Sequence, residues 1–179
     1  KSQLGDGNFL VSDLGGGTFD VSILRCTSGE YQVLAIDGDN YLGGDDFDRR
    51  YAERLRQNLV TAGYKLDLDV RARPEDAVRH QRLVHLAQEI KESLSTRDVV
   101  SIAKDEVTTD QDGEPVTFEA EIGRAEYEEA VADLIETTMQ CCERAIARAT
   151  EVAGVAGGDT DHVVLVGGST RVPAGRASG

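Results

Sequence analysis

No apolar run in these 179 residues approaches the ~20 that a helix needs to cross a bilayer, and no secretory leader is visible. Cysteine is scarce and odd in number. Cys26, Cys141 and Cys142 show no Cys-x-x-Cys spacing, which argues against a disulfide framework and for reduced thiols packed as small apolar groups in the cytosol. Basic residues are also few: 19 Lys and Arg stand against 33 Asp and Glu, for a formal charge of −14. Such a surface repels polyanions and excludes nucleic acid and anionic membranes as natural partners. A nucleotide, which needs only a local group of N–H donors, is still allowed. His80, His85 and His162 lack paired metal-ligand spacing, and no Ser/His/Asp set can be assembled. No G-x-x-x-x-G-K-[ST] loop is present. Gly15 to Asp20 lacks the last glycine of a dinucleotide fingerprint and runs into a strand pattern, not a helix. Internal repeats and low-complexity tracts are absent as well.

What the chain does have is Asp13-Leu14-Gly15-Gly16-Gly17-Thr18-Phe19-Asp20. Apolar runs lead in (Phe9 to Val11) and out (Val21 to Leu24), so the stretch reads as strand, tight turn, strand, with a carboxylate at each shoulder. Successive glycines permit positive φ and leave backbone N–H groups unshielded for an anion. Carboxylates beside a phosphate suit Mg²⁺, which keeps most of its waters and takes one or two carboxylates. A Gly-rich hairpin with solvated aspartates has the same pattern.

The flanking sequence predicts a meander of strands at about 8–13, 19–26 and 31–37. A helix follows, with Phe47, Tyr51, Leu55 and Leu59 on one face and Gly63 at its end. Asp45, Asp46 and Asp48 in its first turn are read as compensating the helix dipole. Pro74 opens a second helix with Leu83, Ala87, Ile90 and Leu94 buried. Two strands, Val99 to Ala103 and Val116 to Ile122, flank a polar turn. One long helix is expected from Gly123 to about Ala153, with Tyr127, Val131, Leu134, Ile135, Cys142 and Ile146 as its stripe and Met139 as core filler. The all-apolar run Val163 to Val166 reads as a central, buried strand. The fold class is mixed α/β. A base formed by 1–63 plus 155–179 carries an inserted α+β subdomain at 64–154. The chain opens at Lys1, not Met, and this suggests a piece of a longer protein.

A second glycine turn, Gly167-Gly168, directly follows that last strand, where ligands settle in α/β sheets. Ser169, Thr170 and Arg171 add a hydroxyl, an N-cap candidate and a planar cation. An ordinary βα turn looks alike. Gln88, Lys91 and Ser95 share a polar flank of the second helix, either simply solvated or a wall for a ribose or purine.

Three blocks, DLGGGTFDVS (13–22), GDNYLGGDDFD (38–48) and VVLVGGSTRVP (163–173), with KESLS (91–95) as a weaker fourth, closely resemble the seventy-kilodalton heat-shock chaperones of the DnaK type. The resemblance spans about Phe9 to Pro173 and implies the actin-like, ribonuclease H-like ATPase fold, in particular the second lobe of the nucleotide-binding domain. It implies ATP or ADP with Mg²⁺ as cofactors. Gly15, Gly16, Gly17 and Thr18 would hold the β- and γ-phosphates. Asp13 and Asp20 would organise water around Mg²⁺, with Asp13 also beside the attacking water. Gly167, Gly168, Ser169 and Arg171 would face the adenosine, and Lys91 and Ser95 would close over its ribose and base. Gln88 and Glu92 depart from the family's usual residues at those positions. The implied partners are a first lobe, a peptide-binding domain, a J-domain co-chaperone, a nucleotide exchange factor and unfolded client proteins. The implied setting is a stress-responsive cytoplasmic ATPase that converts ATP and water to ADP and phosphate. Because the first lobe is absent here, this chain alone is expected to turn over ATP poorly. A non-catalytic nucleotide-binding relative, or a filament protein or sugar kinase of the same superfold, are the alternatives.

Overall fold

The computed structural model describes residues 5–155 and 157–168. In chain order the elements are β1 (Gly7–Leu14), β2 (Phe19–Thr27), β3 (Glu30–Asp39), α1 (Gly44–Thr61), α2 (Pro74–Leu94), β4 (Val99–Thr109), β5 (Pro115–Gly123), α3 (Arg124–Ala130), α4 (Ala132–Ala153) and β6 (His162–Val166), with a 3-10 turn at Gly157–Asp159 before β6. The chain is mixed α/β. It clusters into two compact units: 5–45 with 133–168, and Asp46–Ala132. No helix among the described residues is long and apolar enough to cross a membrane.

The first unit is built on a four-stranded sheet in the order β3-β2-β1-β6. β1, β2 and β3 form the expected antiparallel meander, with a register shift between Ile23 and Leu24. β6 joins β1 in parallel, Phe9 opposite His162 and Asp13 opposite Val166. A reciprocal clamp holds the start of this pairing. The Asn8 amide donates to Asp161 Oδ2 at 2.8 Å, and the Asp161 amide donates to the Asn8 carbonyl at 2.9 Å. Phe9, Phe19, Val21 and Ile23 are almost fully buried and form the sheet's share of the core. α4 is tied to β3 by Arg144, which donates to Asp37 Oδ1 at 2.7 Å, and by Arg148, which donates to the Ile36 carbonyl at 2.8 Å.

Four expectations for the stretch from Gly123 to Val166 fail. The predicted single helix from Gly123 to Ala153 is interrupted at Val131, whose backbone leaves the helical region (φ −114, ψ 14). Gly123 does serve as N-cap, but of the short α3, and the acidic Asp133 sits in the first turn of the new helix, where the dipole favours it. The buried face of α4 is Cys141, Ala145 and Ala149, one position away from the predicted Cys142 and Ile146. Small side chains at every fourth place let a helix approach its neighbour closely, so the larger residues are left on the flank. Met139 is 40 % exposed and fills no core. Finally β6 is an edge strand among the described residues, not a central one, and Val163 and Leu165 are exposed.

In the second unit β4 and β5 pair antiparallel, with a register shift between Lys104 and Thr108. Val116, Phe118 and Ile122 of β5 are buried, as alternation predicts. Pro74 is in the first turn of α2 after the N-cap Arg73, and Leu83, Ala87, Ile90 and Leu94 are buried. Tyr51 of α1 and Tyr127 of α3 pack ring to ring with centroids 4.8 Å apart. The connection into α2 is pinned by Asp76, which has no solvent exposure. It accepts the Asp69 amide at 2.9 Å, and Arg79 and Arg73 pair with its carboxylate. These bonds, led by that amide, hold the Asp76 carboxyl down at about 2.

Candidate functional site: two glycine turns at one sheet end

Both glycine turns leave the same end of the first unit's sheet. β1 and β6 run in parallel, so their C-terminal ends are neighbours. The turn at 15–18 follows β1, and Gly167-Gly168 follows β6. Gly167 has φ +99, a conformation that L side chains avoid. A Cβ there would overlap Asp13 Oδ1 and the carbonyl of Leu14. The second turn therefore lies directly against the first carboxylate.

The triple-glycine turn is closed by the Gly15 amide donating to the Thr18 carbonyl at 2.9 Å. It is held from behind by the start of α1. The Gly44 amide donates to the Gly15 carbonyl at 2.9 Å and the Asp45 amide to the Gly16 carbonyl at 2.8 Å. Gly43 makes this approach possible, since a Cβ on it would overlap the backbone of Gly16 and Gly17. With the carbonyls of Gly15 and Gly16 tied down, the amides of Gly16, Gly17 and Thr18 meet no acceptor among the described residues, and all three residues are exposed. The glycines act differently from what the sequence suggests. None of Gly15, Gly16 and Gly17 adopts positive φ. Their contribution is the missing side chain, which leaves the amides open.

Asp13 and Asp20 face each other directly across β1 and β2. Both are exposed, and neither has an ion pair with Lys or Arg among the described residues. Like charges opposite one another on a sheet face are unfavourable unless a cation stands between them. Two carboxylates beside open amides fit a hydrated Mg²⁺ held partly by phosphate oxygens. No group of three or more His, Cys, Asp or Glu side chains converges as a metal cage among the described residues.

Of the remaining predicted residues, Gly168 is exposed beside Gly167, and Ser169 and Arg171 lie outside the described residues. Lys91 and Ser95 belong to the second unit. Both are buried: Lys91 Nζ pairs with Asp48 at 2.7 Å, and Ser95 Oγ donates to the Glu92 carbonyl at 2.6 Å. Gln88 is exposed and donates to Glu92 Oε1 at 3.1 Å. Asp48, expected from sequence to offset the helix dipole, is instead 5 % exposed and is the partner of Lys91. Its position signals this, since 47, 48, 51, 52 and 55 make one continuous buried stripe on α1. Asp37 is a second residue missed by pattern. Its carboxylate receives Arg144 and Arg148, and the Arg144 hydrogen bond in particular lowers its pKa below the ordinary carboxylate value.

Two curated relatives from two strains of Halobacterium salinarum, each described as chaperone protein DnaK, are 44 % identical over 168 residues. The match takes in 94 % of this chain but 25 % of each relative, so the chain spans about a quarter of the length of those proteins. The family description "Hsp70 protein" matches residues 1–178, and with nearly the whole chain inside that match, it belongs to the Hsp70 family.

Proposed function

We propose that this chain is the ATP-binding second lobe of an Hsp70 nucleotide-binding domain. The observation that carries the proposal is the parallel pairing of β1 with β6, which brings Gly167 against Asp13 and Leu14, where the chain enters the turn whose Gly16 to Thr18 amides are exposed. The β- and γ-phosphates are assigned to Gly15, Gly16, Gly17 and Thr18, whose open N–H groups donate to anionic oxygens. Asp13 and Asp20 are the residues that would hold a hydrated Mg²⁺, which would neutralise charge on the phosphates. Asp13 additionally orients the attacking water toward the γ-phosphorus. Gly167 and Gly168, with Ser169 and Arg171, are assigned to the adenosine side. For Lys91 and Ser95 the assignment to ribose and base rests on the motif alone.

Phosphoryl transfer depends on several groups converging on the γ-phosphate, and one lobe supplies only some of them. Turnover therefore belongs to the longer protein: ATP and water become ADP and phosphate, and the change relaxes a two-state coupling to a peptide-binding domain. Unfolded polypeptides are its proposed clients, with a J-domain co-chaperone and a nucleotide exchange factor as helpers. The reduced cysteines are in keeping with a cytoplasmic location. The test joins this segment to its own upstream lobe and follows phosphate release. Asp13→Asn is expected to lower turnover by roughly 10²-fold or more, as loss of a group that positions the nucleophile does. Unchanged turnover in that variant overturns the assignment.

A further inference from the structure

The second unit carries a groove of about 420 Å³ between α1 and the outer edge of β5. Its floor is apolar: Leu55 and Leu59 from α1 and Phe118 from β5 are all buried. Its rim is acidic. Glu119, Glu121 and Glu126 line it and are exposed, and no Lys or Arg lines it among the described residues.

The strand edge facing this groove has backbone groups to offer. β5 pairs only with β4 among the described residues. Two hydrogen bonds fix which way its amides point. The Arg124 amide donates to the Asp98 carbonyl at 2.8 Å, on the β4 side. The Thr117 amide donates to Tyr64 Oη at 3.3 Å, away from β4. Backbone groups alternate along a strand, so those of Glu119 and Glu121 point the same way as Thr117, toward the groove. A strand edge flanked by a helix is the arrangement that accepts an extended peptide as an added strand.

We propose that this groove binds an extended segment of a second protein, paired along β5, with apolar and basic residues alternating. Its apolar side chains would enter against Leu55, Leu59 and Phe118. Its basic side chains would lie on the opposite face, beside Glu119 and Glu121. The acidic rim selects the sign of the partner, and the unpaired edge selects its extended form. Tyr64, already bonded to Thr117, closes one end.

The experiment uses the whole 179-residue chain and a dye-labelled, end-capped peptide alternating lysine with leucine and valine, followed by fluorescence anisotropy. A second peptide carries glutamate in place of each lysine. Saturable binding of the lysine peptide and none of the glutamate peptide is expected. Glu119→Pro removes an amide that β4 does not use, so the sheet tolerates it while the groove loses a donor. Binding should fall about tenfold or more in that variant, the effect of losing one or two backbone bonds. The Glu119→Lys, Glu121→Lys double variant should abolish it. Unsaturable binding, equal binding of both peptides, or a folded Glu119→Pro protein that binds as before would each overturn the proposal. The last would leave only diffuse attraction to a −14 surface. Should Glu119→Pro fail to fold, amide shift mapping of the native chain decides. Shifts confined to β5 and α1 support the groove, and shifts elsewhere overturn it.

Discussion

Asp48 lies one turn into α1 on the stripe that includes Phe47, Tyr51 and Leu55, and its charge meets Lys91 out of water. Removing one partner of such a buried pair costs about 3–5 kcal/mol. Asp48→Ala is therefore expected to lower the urea midpoint steeply. The double change Asp48→Leu, Lys91→Met removes both charges and should recover most of that loss. Asp76 offers a different test, through pH. Its carboxyl sits at about 2 in the folded chain, below the 3.8 of a free group. A depressed value adds stability that is complete above about pH 4 and is lost as pH falls through the folded value. In Asp76→Asn, urea midpoints measured from pH 5 to pH 2 should fall less steeply than in the parent, by the uptake of about one proton.

Among the elements, the β6 turn makes a strict steric demand in the first unit. Gly167→Ala puts a Cβ where Asp13 and the Leu14 backbone already are, in a backbone conformation (φ +99) that alanine disfavours. A cost of roughly 1–3 kcal/mol is expected in thermal or urea unfolding. In the proposed two-lobe protein the same change should weaken ATP binding, read by calorimetry. Much of this layer is legible in the sequence. The α2 stripe and the alternation of β5 are strong periodic signals, and the structure reproduces them. The face of α4 is not legible, because pattern reading favours the large Ile146 whereas packing uses Cys141, Ala145 and Ala149. Nor is the edge position of β6, since an all-apolar run records what a strand can bury and not which neighbours it has. Each glycine turn stands out by itself. Their adjacency comes from a parallel pairing between distant segments, which no local motif encodes.

For the whole molecule, net charge sets a repulsion that no single contact describes. Thirty-three acidic against 19 basic side chains repel one another when the chain is compact. Raising ionic strength from ~0.1 to ~1 M shortens the screening length from about 10 Å to about 3 Å. The urea midpoint is expected to rise with KCl over that range. A flat or falling curve would show that local ion pairs such as Arg144 with Asp37 outweigh the net repulsion. Clamping of Asn8 to Asp161, 153 positions apart, has a further meaning for synthesis. A ribosome delivers β1 and its glycine turn long before β6 exists, and loop closure over that distance is slow. Until β6 has been made, the nascent chain therefore exposes the flank of β1 that β6 later pairs with.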